Sequence, residues 1–304
     1  MCPSPTGHLL VASAKAGSAE DEAVAAARAV LAEAGHVELV TTQTTDELDA
    51  VLDRLDGRTL VLAGGDGSLH LAVSRMHARG SLRQTRLGLI PLGTGNDLAR
   101  TLDLPLDPAD AARLVLRADS RPLDLLVDDA GGIVVNAVHV GVGAEAAAAA
   151  GRLKPRLGPA AYPIGAVAAG MRSTGWRLRV EVDGQVVADD HRRTLMVGIG
   201  NGRGIGGGTQ LLPHAEPDDG LLDVIVSRAC GPFARVRYGA ALQAGTHLQD
   251  RDVREARGRT VTVSGEPVDV NTDGELGDCI SHRTWTVQPA AWSLLRPDGT
   301  RTAN

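Results

Sequence analysis

The sequence predicts an α/β unit followed by a β-rich one: a Rossmann-like N-terminal domain on a parallel sheet, then a predominantly antiparallel β domain. Two observations predict it. Over the first 125 residues short apolar runs alternate with amphipathic stretches, the pattern of β-α units feeding a parallel sheet. Beyond Asp124 the apolar period falls to two, as in "WRLRVEVDGQVV" at 176–187, where Asp183-Gly184 marks a tight hairpin.

Element by element, His8 to Ala12 reads as the first strand. Ser18 and Asp21 stand in capping-box spacing ahead of a helix expected from about Glu20 to Ala34, with Gly35 as its stop. Val37 to Val40 is a second strand, Asp46 to Leu55 a second helix, and Thr59 to Ala63 a third strand. That strand is apolar almost throughout, as strands buried on both faces are. A helix from Leu69 to Ala78, the strand "LGLIPLG" at 87–93 and a short helix starting near Asp97 follow. In the β half, Thr194 to Gly200, Leu221 to Arg228, Thr260 to Val270 and Thr284 to Gln288 are further strands. An Ala-rich helical stretch at 144–150, an apolar stretch at 160–170 and a helix near 233–244 interrupt them. The boundary falls near residues 122–130, which gives domains at 1–125 and 126–290 and a C-terminal segment, 291–304, returning to the first domain.

Composition narrows the function. The 304 residues are 43% hydrophobic and 22% charged, enough for two medium domains with real cores. Net charge is −6 and the basic residues, nearly all Arg, are dispersed, so a nucleic-acid surface is not expected. Cys2, Cys230 and Cys279 are odd in number and far apart, which argues against a disulfide framework or zinc site and for a reducing, cytoplasmic compartment. No signal-peptide order and no apolar run of about 18 residues is present, so no membrane span is expected.

Two β-to-α junctions are rich in glycine and acid. In Gly64-Gly65-Asp66-Gly67-Ser68 the glycines let backbone approach a phosphate, and Ser68 can cap the following helix or bond a phosphate oxygen. An acid beside phosphates needs a cation, so Asp66 points to Mg²⁺; the plain alternative is a strand-to-helix turn with Asp66 exposed. In "PLGTGNDLAR", 91–100, Gly93 and Gly95 flank Thr94, whose hydroxyl suits a phosphate, and Asn96 or Asp97 can cap the next helix. Loops on consecutive strands of a parallel sheet face each other across its carboxyl edge, which favours one shared phosphate site. No P-loop sequence and no G-x-G-x-x-G opening the first helix is present. "VNTDGELG", 270–277, is a hairpin turn at Asp273-Gly274 that would hold Glu275 rigidly, as a general base must be held. "HAEPDDGLLDV", 214–224, is a turn into a strand whose acids either hold a metal or are solvated.

"GGDGS", "PLGTGNDLAR", "RPLDLL" (121–126), "NAVHVGVGAEA" (136–146), "DDGLLDV" (218–224) and "NTDGE" (271–275) stand in the order and spacing of the diacylglycerol-kinase catalytic-domain family, which the chain resembles over nearly its whole length. The family includes bacterial lipid kinases, sphingosine and ceramide kinases and, distantly, NAD kinases. The resemblance implies a C-terminal β-sandwich and an ATP site in the cleft between it and the α/β domain. It further implies that Gly64, Gly65, Asp66, Gly67, Ser68, Leu69 and His70 cradle the nucleotide phosphates, with Thr94 and a threonine after the second strand, Thr42 or else Thr44. Glu275 matches the base that accepts the lipid hydroxyl's proton, and Asp66, Asp97 and Asp124 match acids around the catalytic Mg²⁺ and its waters. "EPDDGLL" resembles a structural Mg²⁺ site formed by the Asp219 carboxylate and the carbonyls of Glu216 and Leu221. Family members usually carry Asn-Pro-x-x-Gly after the first strand; this chain has Ser13 to Gly17, "SAKAG", where Lys15 either takes phosphate charge or is solvated.

The function implied is transfer of the γ-phosphoryl of ATP to a lipid alcohol at a membrane surface, diacylglycerol first, by a cytoplasmic enzyme that is peripheral at the membrane. Alternatives are another acceptor (a sphingoid base, ceramide, a polyprenol-like alcohol or a soluble metabolite), an NAD kinase, or a nucleotide-binding regulator without catalysis. The apolar, Arg-flanked stretch 151–172 is a lipid-facing surface or a core helix with basic ends, and a homodimer is left open.

Overall fold

Strands β1 (His8–Ser13), β2 (Val37–Thr42), β3 (Thr59–Gly64) and β4 (Leu87–Pro91) lie side by side in the order β2-β1-β3-β4, all parallel. The computed structural model that shows this describes residues 7–13, 18–142 and 174–298. Between the strands run α1 (Ser18–Ala32), α2 (Thr45–Asp53), α3 (Asp66–Ala78) and α4 (Asp97–Thr101), followed by α5 (Pro108–Arg117). Leu10, Ala12, Val61, Ala63 and Ile90 pack on one face of the sheet against Val24, Ala27 and Leu31 of α1 and Ala111, Ala112 and Val115 of α5. Strand residues alternate faces, so Leu9, Leu60, Leu62 and Leu89, also buried, point the other way, where α2 and α3 pack on each other. Helices cover both faces, which is why these strands are apolar along their length.

The second half is built from β5 (Ser120–Asp128), β6 (Ile133–Val134), β7 (Ala137–Gly141), β8 (Trp176–Val182), β9 (Gln185–Ala188), β10 (Arg193–Thr194), β11 (Met196–Gly200), β12 (Gly204–Ile205), β13 (Thr209–Gln210) and β14 (Leu222–Ser227). Helix α6 (Pro232–Gln243), a 3-10 turn (His247–Gln249), β15 (Val253–Gly258), β16 (Thr260–Thr272) and β17 (Glu275–Leu295) complete it. Pairings here are antiparallel: β15-β14-β11-β7 run in sequence, and β7 pairs with the end of β16 at Val270 to Thr272. The start of β16, Val261 to Gly265, pairs instead with β8. β16 changes neighbours across irregularities after Ser264, and Gly265 (φ 140°) is needed there, because a Cβ would collide with the Arg177 carbonyl oxygen. Leu178, Val180 and Val182 of β8 share one buried cluster with Val138, Val140, Val197, Ile199, Val224 and Val226, the filling of a β-sandwich.

The chain divides into unit 1, Met1–Leu123 with Ala290–Asn304, and unit 2, Asp124–Pro289. Within unit 1 the end of β17 adds a fifth parallel strand, Leu294 beside Leu87, and Leu295 enters the α1/α5 core. The expected class, a parallel α/β unit and an antiparallel β-sandwich, is the one observed.

Several boundaries move for identifiable reasons. Helix α3 begins at Asp66 rather than Leu69, with Gly65 as its N-cap, so Ser68 lies inside the first turn and does not cap it. Helix α5 has no counterpart among the expected elements, although Asp107 accepts the amides of Ala109 and Asp110 and Pro108 opens the helix, both start signals. The segment expected at Thr284 to Gln288 is part of the 21-residue β17, whose exposed charged residues mask the alternation. The stretches at 144–150, 151–172 and 160–170, Cys2 and Lys15 with its loop at 14–17 lie outside the described residues.

Candidate functional site

In unit 1 the parallel register sets Ser13 opposite Thr42, Ala12 opposite Ala63 and Gly64 opposite Pro91, so the four strands end together at one carboxyl edge. The two glycine-rich segments meet there backbone to backbone. A Cβ on Gly65 would lie 2.8 Å from Gly93 Cα, and one on Gly93 would lie 2.6 Å from Gly65 Cα. Only glycine permits that approach. The Leu92 amide donates to the Gly64 carbonyl at 3.0 Å, which ties the segments together. At Gly67, in the first turn of α3, an added Cβ meets nothing within 4 Å, so its backbone faces open space at the positive end of a 13-residue helix.

Asp66 bridges the two segments. Its Oδ2 accepts the Asp97 amide at 3.1 Å and its Oδ1 the Leu98 amide at 3.3 Å, so a residue of α3 caps α4. The expected local cap is occupied elsewhere. Asn96 sits in the left-handed region (φ 51°), accepts the Gly93 amide at 2.9 Å and returns its side-chain N–H to the Gly93 carbonyl at 2.7 Å. Thr94 is thereby held exposed at the loop tip, while Asp97 is buried. Leu69 is buried in α3 and His70 is half-buried beside it. Of the two candidate threonines, Thr44 caps α2 by accepting the Glu47 amide at 3.2 Å. Thr42 ends β2, half-buried, at the shared edge.

In unit 2 Asp124 is buried and tied to the turn at 217–220: its amide donates to the Pro217 carbonyl at 2.8 Å and its Oδ2 accepts the Gly220 amide at 2.6 Å. Asn201 donates to its carbonyl at 3.2 Å. Within the turn, Asp219 accepts the Leu221 amide at 2.9 Å and is ion-paired with Arg257. Arg257 stands directly across the β14/β15 pair from Asp223, its Nε 3.0 Å from Asp223 Oδ1. Burial pushes the Asp223 carboxyl up to about 6 despite Arg257, with Asp219 and Glu255 adding repulsion. Both oxygens of Asp219 are thus engaged, one by a guanidinium. The carboxylate expected to hold Mg²⁺ with the carbonyls of Glu216 and Leu221 is here taken by Arg257, which would have to give way to a metal.

Asp273 organises the remaining feature. Its carboxylate accepts three successive amides, Val135 at 2.7 Å, Asn136 at 2.9 Å and Ala137 at 2.9 Å, and its own amide donates to the Ala137 carbonyl at 2.9 Å. Asp273 and Gly274 both have positive φ, 48° and 93°, the two-residue turn that joins β16 to β17. Asn271 accepts the Gly274 amide at 3.1 Å. Glu275, the first residue of β17 and paired with Thr272, leaves this anchored turn exposed. Close by, His139 on β7 is buried opposite Asn271, and desolvation holds its pKa down to about 4, opposed by the Asp273 charge.

Sequence reading missed Asp273, Asn201 and Arg257. Asp273 was visible only as turn chemistry. The Arg257–Asp223 pair depends on the register of two strands 34 positions apart, which no local pattern carries.

These features coincide with known proteins. Residues 8–127 match the family model described as diacylglycerol kinase catalytic domain, and residues 136–296 match the YegS C-terminal NAD kinase beta sandwich-like domain. A protein of Pseudomonas aeruginosa (strain UCBPP-PA14) named "Probable lipid kinase YegS-like" is 36% identical over 92% of each chain. One of the same name from Stenotrophomonas maltophilia (strain K279a) is 34% identical over 78% of this chain and 80% of its own. A crystal structure of a diacylglycerol kinase from Bacillus anthracis str. Sterne superimposes with a TM-score of 0.72 over 96% of this chain and 97% of that one, at 20% identity, and so shares the fold. The paired two-domain architecture and these matches define the class, and the chain belongs to the YegS-like family of lipid kinases with a diacylglycerol-kinase catalytic domain.

Proposed function

We propose that the protein is an ATP-dependent kinase that phosphorylates the hydroxyl of a membrane-borne lipid alcohol, with diacylglycerol as acceptor and phosphatidic acid as product. The observation that carries this reading is the backbone contact of Gly65 with Gly93 at the carboxyl edge, beside the first turn of a helix whose Gly67 faces open space. Closely packed glycines with outward amides are what a triphosphate requires.

In this reading the segment Gly64 to His70 cradles the phosphates through the first-turn amides of α3, joined by the hydroxyls of Thr94 and Thr42. Asp66 and Asp97 would offer hard oxygen donors to Mg²⁺ and its waters, and Mg²⁺ would neutralise phosphate charge. Asp124 holds the 217–220 turn in place. The acceptor oxygen bonds to the γ-phosphorus as the bond to the β–γ bridging oxygen breaks; ADP departs and Glu275 takes the hydroxyl proton. Since a carboxylate is a weak base, Glu275 acts late, as the alcohol's proton becomes acidic in the loose transition state. Positioning supplies most of the acceleration.

A panel of acceptors with γ-labelled ATP tests this: diacylglycerol, ceramide, sphingosine, a polyprenol and soluble alcohols, each offered to the full chain. Label in phosphatidic acid supports the proposal. Label in another lipid alone replaces the acceptor, and ATP binding without transfer to any alcohol overturns the kinase reading.

A further inference from the structure

The chain has a single phenylalanine, and Phe233 is 90% exposed. It stands in the first turn of α6, one turn before Val236, which is 74% exposed. Helical spacing puts Phe233, Val236, Ala240 and Gln243 on one stripe. The opposite face, Ala234, Tyr238 and Leu242, packs into a core cluster with Met196, Leu211 and Ile225. The helix is therefore apolar on both sides and only one side is used by the fold. Exposing two large apolar side chains one turn apart is unfavourable in water unless something covers them.

The surrounding charge identifies what fits. α6 contains Arg235 and Arg237 and no acid. Arg192 and Arg193 join Arg235 around Cys230, two residues before the helix, and Arg251 adjoins Asp250. The facing acids are already engaged. Asp250 and Asp252 take the forked guanidinium of Arg237 at 2.6–2.8 Å, Arg192 lies 4.0 Å from Asp252, and Glu266 pairs with Arg193 at 3.3 Å. With Arg228, which pairs with Asp189 beside Arg192, six guanidiniums stand against four carboxylates, so this end of unit 2 carries a positive excess in a chain of net charge −6. An apolar tip on an arginine-rich end is complementary to an anionic bilayer surface, where Phe233 and Val236 enter the acyl boundary and the arginines meet phosphates.

We infer that the first turns of α6, through Phe233 and Val236, dock the protein on anionic lipid. The inference rests on the reading that the acceptor is membrane-borne, and it names the surface that would reach it. Vesicle co-sedimentation tests it without requiring turnover, so a failure of the kinase reading does not affect the result. The full chain should pellet with phosphatidylcholine–phosphatidylglycerol vesicles, less so in high salt, and weakly with phosphatidylcholine alone. Phe233→Ser/Val236→Ser should bind the mixed vesicles about tenfold or more weakly. Because both side chains are exposed, its thermal midpoint should equal that of the wild type, and its turnover of a dispersed short-chain acceptor should be unchanged. Wild type that stays in the supernatant overturns the inference, as does a variant that pellets like wild type. A variant that loses only self-association in sedimentation velocity also overturns it and assigns the stripe to contact between copies.

Discussion

Asp66 and Asp97 are joined through the main chain: the carboxylate of one, in the first turn of α3, caps the helix that the other begins. Asp66 therefore has a structural duty in addition to the proposed one at Mg²⁺, and the two can be separated. Asp66→Ala strips two acceptors and should cost about 1–2 kcal/mol of stability. Asp66→Asn keeps one acceptor and should cost less than half of that, yet turnover should collapse in both. Urea unfolding and kcat measured on the same preparations check the split; an active Asp66→Asn removes Asp66 from catalysis.

Gly65 and Gly67 lie two residues apart and should respond oppositely to alanine. Gly65→Ala drives a Cβ into Gly93 backbone and should destabilise the fold. Gly67→Ala meets nothing within 4 Å beyond its chain neighbours and the backbone of its own helix, and it replaces a first-turn glycine, so stability should rise by about 0.5 kcal/mol. If triphosphate packs on that turn, the same methyl should raise the ATP dissociation constant about tenfold or more. Calorimetric titration on Gly67→Ala with unchanged affinity would take the phosphates away from α3.

Much of this was legible in the sequence, and the reasons differ by element. β3 and β4 are buried on both faces, so they stand out as continuous apolar runs. The Asp183-Gly184 and Asp273-Gly274 hairpins announce themselves through residues that tolerate positive φ. What a glycine or acid touches is another matter. Gly65 against Gly93, Asp66 on α4 and Asp273 on the amides of 135–137 are contacts between distant segments, and local pattern gives only the residue type. The ion pair at Asp219 is likewise invisible in local pattern, since Arg257 reaches it from another strand.

Arg257 holds Asp219 and the nearly inaccessible Asp223 at once. Arg257→Gln leaves two carboxylates facing each other and should cost about 1–3 kcal/mol, with Asp223→Asn in the same chain recovering part of it. Because the guanidinium supplies the positive charge, the thermal midpoint of the wild type should be the same in EDTA and in millimolar Mg²⁺, while Arg257→Gln should gain stability from Mg²⁺. A wild-type midpoint that rises with Mg²⁺ and loses that rise in Asp219→Asn would restore a metal at the 216–221 turn.

His139 sets an acid limb. Its native pKa, about 4, lies below the ordinary value of 6.5, so between those pH values the unfolded chain binds a proton that the native chain does not. This contribution is fully present above the unfolded pKa and is lost as pH falls, at up to about 1.4 kcal/mol per pH unit. Asp223, raised to about 6, acts in the opposite sense between about pH 4 and 6, because its native form holds the proton more tightly. His139→Gln should therefore flatten or reverse the fall in unfolding free energy between pH 6.5 and 5. A variant with the wild-type slope would show that His139 does not carry it.

Glu275 tests the central claim most directly, because Asp273 holds its turn from the other side and the carboxylate itself is exposed, so replacing it should leave the fold intact. The measurement is transfer of label from γ-labelled ATP to diacylglycerol by wild type and by Glu275→Gln, with ATP affinity recorded for both. The proposal predicts labelled phosphatidic acid from the wild type, kcat lowered about a hundredfold or more in Glu275→Gln, and ATP bound equally well by the two. Equal turnover in the variant would contradict the role of Glu275, and absence of lipid label from a wild type that binds ATP would contradict phosphoryl transfer to diacylglycerol.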